Sequence, residues 1–192
     1  VWLGEQSPVS LHDALKASYA KPEEQREKLK RHGYVRDDSL SNHNQQVYHN
    51  PKDNKLLYTI AGTHNLSDVG TDAYLALGKL KDTNRYKEAD KTLKRAQEKY
   101  KGAKTSIAAH SLGGSIAQYL HNRGDTTTLD AGYTIGQKTR GKHYRHEGDV
   151  VSLLGKNGKH TTTLGKGKGK PGGVGALYNH KVDRLKNEKI FV

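Results

Sequence analysis

The stretch Ile107-Ala108-Ala109-His110-Ser111-Leu112-Gly113-Gly114-Ser115 decides how the rest of the chain is read. A short apolar run, Thr105 to Ala109, stops at His110-Ser111, and a helical pattern starts at once with Ile116, Ala117, Tyr119 and Leu120. A buried strand that turns directly into a helix, with small residues two before and two after a serine, fits the tight elbow that lifts a serine Oγ clear of a sheet. Large side chains at Ala109 or Gly113 would clash in so sharp a turn. Alanine at 109 stands where glycine is usual, a departure that sterics tolerate. The Leu112 amide points into the same space from a helix N-terminus, where negative charge is favoured. An ordinary serine-capped helix start would leave two glycines in its first turn with no task, because glycine weakens a helix unless close packing demands it.

Length and composition set bounds around this motif. A chain of 192 residues is read as one domain, long enough for a real core. Only 32% of it is apolar and its aromatics are mostly Tyr, so the core is expected to be compact and built from Leu, Ile, Val, Ala and Tyr. No run approaches the ~18 apolar residues of a membrane span. The absence of cysteine excludes disulfides, thiolate chemistry and Cys-based zinc sites. The chain opens at Val1 and contains no Met, from which N-terminal processing is expected, with a secreted or virion-associated location. A net charge of +13 attracts polyanions, whether nucleic acid, an anionic membrane face or an acidic protein surface, and charge alone does not choose among them.

Strands and helices alternate along the chain. Leu11, Ala14, Leu15 and Tyr19 form a helical stripe that Ser10 could cap, and Pro22 opens a second helix ending at His32-Gly33. These first 44 residues are expected to pack on a sheet face. Gln46–His49 and Lys55–Ile60 face each other across Asn50-Pro51-Lys52-Asp53-Asn54 as a hairpin. Helices are predicted over Asp68–Leu80 and Tyr86–Tyr100, strands over Leu129–Ile135, Lys142–His146 and Thr161–Leu164, and a short terminal element over Tyr178–Lys186. Arg36–Asn44 reads as loop, and Arg123-Gly124-Asp125 as a turn. The alternation argues for an α/β sandwich with helices on both faces of a mostly parallel sheet, residues 45–192 forming its core. The Gly/Lys-rich stretch Gly155–Gly175 lacks Gly-x-x-x-x-Gly-Lys-Ser/Thr, which excludes a phosphate loop of that type.

An activated serine needs a base, an orienting carboxylate and oxyanion donors. With Ser111 as nucleophile and the order Ser, Asp/Glu, His, Asp149 is the best acid: it follows a strand and a glycine and precedes Val150-Val151. Only His160 and His180 follow it, and His180 is favoured because a long preceding loop could fold it back over the site. His110 reads as a packing or turn-stabilising residue. His143 and His146 would face opposite sides of a strand, which is poor metal-ligand geometry.

With these residues in view, the sequence resembles the class 3 lipase family, over about residues 45–185. The likeness is carried by Ile60-Ala61-Gly62-Thr63 with Asp68-Val69, by Ala109-His110-Ser111-Leu112-Gly113-Gly114, by Tyr133-Thr134-Ile135-Gly136, and by Gly148-Asp149-Val150-Val151 with His180 after it. It implies an α/β-hydrolase-like three-layer sandwich, a Ser111–Asp149–His180 triad, and an oxyanion hole made by Thr63 with the Leu112 amide. Ala61 stands where an arginine is common in that family, and Val69 where a tryptophan is. The segment Gly78–Lys91, the place for an apolar lid, is highly charged, which favours a small ester or an anionic phospholipid over a triglyceride droplet.

The expected function is therefore a serine ester hydrolase of lipase or phospholipase type, needing no metal or cofactor, with a lipid or small ester as substrate and an anionic membrane surface as a partner. The alternative is a basic structural component of a larger particle such as a virion, on a lipase-like scaffold and in contact with capsid or other particle proteins. Nucleic acid is the less favoured partner, because the lysine-rich helices lack interleaved aromatics for base stacking.

Overall fold

The computed structural model describes residues 8–62, 77–120, 123–132, 140–147, 149, 160–166 and 182–192. Its architecture is built outward from the strand Lys104–His110. Ile107, Ala108 and Ala109 on that strand are all buried, as expected when both faces of a parallel sheet are covered. Seven strands lie side by side in chain order: β1 (Val35–Arg36), β2 (Gln45–Asn50), β3 (Lys55–Ile60), β4 (Lys104–His110), β5 (Asp125–Leu129), β6 (Lys142–Glu147) and β7 (Thr161–Lys166). The first two pairings are antiparallel and the remaining four are parallel. In register, Ile60 meets Ala109 and His110 meets Leu129, so β3, β4 and β5 end at one edge of the sheet.

The hairpin between β2 and β3 forms where turn chemistry predicts it. The Asn50 carboxamide oxygen accepts the N–H groups of Lys52 and Asp53, and Asn54 adopts φ +47°. Strand alternation then divides the core between two faces. On one face Tyr48, Leu57, Ala108 and Leu129 pack with α1 (Leu11–Ser18) and with Leu29 of α2 (Pro22–Lys30). On the other, Val47, Tyr58, Ile60, Ile107 and Ala109 pack with α3 (Asn84–Lys99) and α4 (Leu112–Gln118). The result is the three-layer α/β arrangement with a mostly parallel sheet. Ser10 caps α1 by accepting the Asp13 N–H, and Ser18 sits in the apolar stripe because its hydroxyl donates to the Leu15 carbonyl.

Some local expectations are corrected. Of the strand expected at Leu129–Ile135, residues 133–135 lie outside the described residues; the strand that is described runs over Asp125–Leu129, so Asp125 belongs to it rather than to the turn before it. Three consecutive β-branched threonines, Thr126–Thr128, pair with β4, and the strand stops where Asp130 turns to φ +48°. The loop expected at Arg36–Asn44 contains a 3-10 turn at Asp38–Leu40 and begins on β1. Of the helix expected at Asp68–Leu80, residues 68–76 lie outside the described residues, and Leu77–Asp82 is 3-10 helix. The terminal element is a 3-10 turn at Val182–Leu185, with residues 178–181 outside the described set.

A carboxylate pins the crossover helix α3 to the antiparallel edge. Asp37 accepts hydrogen bonds from Lys99 Nζ and Tyr100 Oη, each at 2.6 Å, and from the backbone and hydroxyl of Ser39. Burial alone would raise the Asp37 carboxyl, but the bonds from Lys99, Ser39 and Tyr100 outweigh it and bring the group down to about 2. Asp37 thus ionises more readily in the folded chain than in the unfolded one. Its contribution to stability is present above pH ~4 and is lost as pH falls toward 2. The thermal midpoint is expected to drop between pH 4 and pH 2, and Asp37→Asn to be destabilised at neutral pH while showing a shallower drop; calorimetry across that range checks both.

Candidate functional site

Ser111 joins β4 to α4 in a conformation that few residues adopt, φ +56° and ψ −124°. Such backbone costs on the order of 1–3 kcal/mol and persists only where its surroundings over-determine it. Here they do. The Ser111 N–H donates to the Leu129 carbonyl at 3.0 Å, and its own carbonyl accepts the Ser115 N–H at 3.1 Å. One bond continues the sheet and the next begins the helix, so no residue remains to spread the bend.

The glycines explain how the helix approaches so closely. A Cβ on Gly113 would lie 2.3 Å from the Ile60 carbonyl oxygen and 2.6 Å from that of Ala61. On Gly114 it would lie 2.7 Å from Ala131 Cβ. Gly62, at the end of β3, comes against the serine itself: a Cβ there would be 2.8 Å from Ser111 Cβ. Ser111 is 1% exposed, and its Oγ is buried without a hydrogen-bond partner. A buried hydroxyl in that state carries a desolvation cost of ~1–3 kcal/mol, which is characteristic of a group kept for another purpose. Leu112 is the half-buried first residue of α4, and its amide is among the first-turn N–H groups that a helix leaves without an internal acceptor.

Tyr19, just past α1, completes this corner and was not singled out by the sequence beyond its place on an apolar stripe. Its hydroxyl accepts the Gly62 N–H at 2.8 Å and lies 2.6 Å from His110 Nδ1, with the two rings edge to face. Burial raises the phenol well above its usual range, outweighing the bond from Gly62 and the nearby Arg85. The hydroxyl therefore keeps its own proton. His110 is thus held by α1 as a turn-stabilising group. Arg85 on α3 donates to the Ala61 carbonyl at 2.6 Å, bringing a guanidinium to the end of β3. The signal available in advance was weak: a tyrosine on a buried stripe needs a partner for its hydroxyl.

The other predicted residues fall as follows. Asp149 is 0% exposed and follows β6; its N–H donates to the His146 carbonyl at 3.1 Å, and its carbonyl accepts from Arg145 Nη2 at 3.4 Å. It shares with Ser111 the carboxyl edge of the parallel strands, where open α/β sheets place their sites. Thr63 and His180 lie outside the described residues. His160 is exposed at the head of β7, three strands from β4 or ~14 Å by strand spacing, and is not brought to the serine. His143 Nδ1 meets Thr128 Oγ1 and His146 Nδ1 meets Asp130 Oδ2, so the two rings are held by different partners. Among the described residues, no three His, Asp or Glu side chains cluster as metal ligands. The buried pair of Asp130 and His146 is the second feature that sequence reasoning missed.

No protein-family model matches the sequence, and no curated protein sequence does. Solved structures do match. The fold is similar to that of Lip2 lipase from Yarrowia lipolytica, with a TM-score of 0.56 and 14% identity over 88% of this chain and 80% of that one. It is also similar to the Rhizomucor miehei lipase in its propeptide complex, with a TM-score of 0.51 and 13% identity over 74% of this chain and 61% of that one. The fold is thus the lipase-like α/β fold that the resemblance implied.

Removing the Tyr19 hydroxyl tests the corner. Tyr19→Phe leaves the buried Gly62 N–H and His110 Nδ1 without their shared partner, and is expected to lower unfolding stability by about 1–3 kcal/mol in urea titrations while preserving the overall fold by circular dichroism.

Proposed function

We propose that this protein is a serine ester hydrolase acting on carboxylic esters, with the acyl esters of lipids as the substrate class. The observation that carries the reading is Ser111 itself, a buried hydroxyl without a hydrogen-bond partner on a strained strand-to-helix turn. A serine fixed in this way loses no bond on becoming a nucleophile. It also stands beside amides at a helix start, so charge developing on a substrate carbonyl is met by donors already in place. The lipase-like fold supports the same reading.

In the reaction Ser111 Oγ attacks the ester carbonyl while His180 takes the hydroxyl proton. Asp149 orients that imidazole, and the amides of Leu112 and Thr63 receive the oxyanion. Collapse of the tetrahedral species breaks the ester C–O bond, and His180 returns the proton to the leaving alcohol. Water, activated by the same imidazole, then attacks the acyl-serine, releasing the carboxylic acid and restoring the Ser111 hydroxyl. Tyr19 and His110 touch neither substrate nor transferred proton in this scheme; they hold Gly62 against the serine and so set the wall from which the Thr63 amide follows.

A fluorophosphonate probe, which phosphonylates activated serines, tests the assignment directly. The wild-type protein is expected to be labelled once per chain, Ser111→Ala not at all, and His180→Ala more slowly by at least about 10³-fold, with p-nitrophenyl butyrate turnover falling in parallel. Labelling that persists in His180→Ala would move the base elsewhere; a folded wild type that takes no label would defeat the reading.

A further inference from the structure

The proposal concerns Asp130, the residue at which β5 stops. The parallel ladder between β5 and β6 pairs only Thr127–Leu129 with Lys142–Tyr144, although β6 runs on to Glu147. Asp130 takes over beyond that point. Its N–H donates to the Tyr144 carbonyl at 2.8 Å, and its side chain, turned by φ +48°, crosses to β6. Oδ1 accepts the His146 backbone N–H at 2.7 Å, and Oδ2 accepts His146 Nδ1–H at 2.9 Å. A side chain thus supplies the rung that the strand no longer provides.

This carboxylate is 0% exposed and the His146 side chain 3%. Burying a carboxylate is costly unless it is paired and hydrogen-bonded, and charge-assisted bonds to one residue's backbone and ring meet that condition. A carboxylate accepts only, so Nδ1 carries the proton of this bond, and Nε2 lies on the other side of the ring. That Nε2 is buried without a partner. The imidazole is therefore held for its Nδ1, at the cost of an unsatisfied atom on its other side.

The grip has a direction. The His146 carbonyl accepts the Asp149 N–H at 3.1 Å, closing the turn that carries the acid of the site. On the other side of Asp130, the Leu129 carbonyl accepts the Ser111 N–H at 3.0 Å. The path from Ser111 through Leu129–Asp130 and His146 to Asp149 is continuous, made of backbone bonds and one carboxylate. We propose that Asp130, by holding His146 at both its backbone N–H and its Nδ1–H, sets the turn of Asp149 relative to Ser111 and is a positioning residue for the reaction. The inference rests on the reading of Ser111 as nucleophile and Asp149 as acid. It explains why a buried carboxylate and imidazole are kept in a strand-end position that an apolar contact could fill.

The test uses Asp130→Asn, which keeps the shape and one acceptor, together with His146→Asn and His146→Leu. Asparagine at 146 retains an amide N–H near the place of Nδ1–H, and leucine retains none. Three quantities are read: the fluorophosphonate labelling rate, kcat and KM on p-nitrophenyl butyrate, and hydrogen exchange at the Asp149 amide. In Asp130→Asn the Asp149 amide is expected to exchange at least about 10-fold faster, and kcat and labelling to fall about 10- to 100-fold at unchanged KM, the scale of a small misplacement of a catalytic group. His146→Asn should recover most of what His146→Leu loses; if Asp130→Asn does not fold, this pair decides alone. A folded Asp130→Asn with wild-type labelling, or with an equally protected Asp149 amide, overturns the proposal. So does a His146→Asn as slow as His146→Leu, which would make Nε2 the operative atom. A wild type that takes no label overturns the reading of Ser111 and this proposal with it, and is seen before any variant is made.

Discussion

The constraint on which the molecule depends is the absence of slack at Ser111. The preceding residue pairs in the sheet, the following residue is helical, and the bend falls on a single φ of +56°. A conformation of that kind is held only by forces on every side. Here they come from three sides: Gly62 of the β3 end, Gly113 and Gly114 packed on the Ile60 carbonyl and Ala131, and the hydrogen bond to Leu129. Each glycine is required by an approach that a Cβ would block, which makes the corner intolerant of small changes in the neighbouring strands. The strain is local, but what sustains it is the packing of the whole sheet edge.

Around the corner, buried polar groups connect elements that apolar packing leaves independent. Tyr19 ties α1 to the ends of β3 and β4 through Gly62 and His110, and Asp130 ties β5 to β6 through His146. Asp37 does the same at the opposite flank, joining α3 to the antiparallel edge. Hydrophobic contacts set which face of each element is covered but leave elements free to slide. Directional bonds between buried groups remove that freedom, because a slide of one ångström leaves a donor or acceptor unsatisfied in a low-dielectric interior. Two of these ties, those of Tyr19 and Asp130, lie at the carboxyl edge of the parallel strands, where chemistry would require fixed geometry.

Much of this was legible in the residues, for identifiable reasons. The helices at Leu11–Ser18 and Asn84–Lys99 carry apolar stripes at helical spacing, and the hairpin carries Asn and Pro between alternating runs. These are local signals, set by propensity and periodicity. Asp125–Thr128 was not read as strand because Arg123-Gly124-Asp125 reads as a turn; it is strand because β4 lies beside it. Asp130 and His146 gave no signal, since their partnership spans two strands and depends on where β5 stops.

The residues alone determined the elbow at Ser111, the alternation of strands and helices, and the chemistry open to the chain, because small side chains, turn formers and the absence of cysteine act within a few positions. Tertiary structure decided which polar groups meet. It brought Tyr19 to Gly62 and His110, 43 and 91 positions away, and it placed His160 three strands from the serine while leaving Asp149 at the same edge. The physical reason is that a hydrogen bond is specified by position to within a fraction of an ångström, and position at the sheet edge is set by the register of all the strands together.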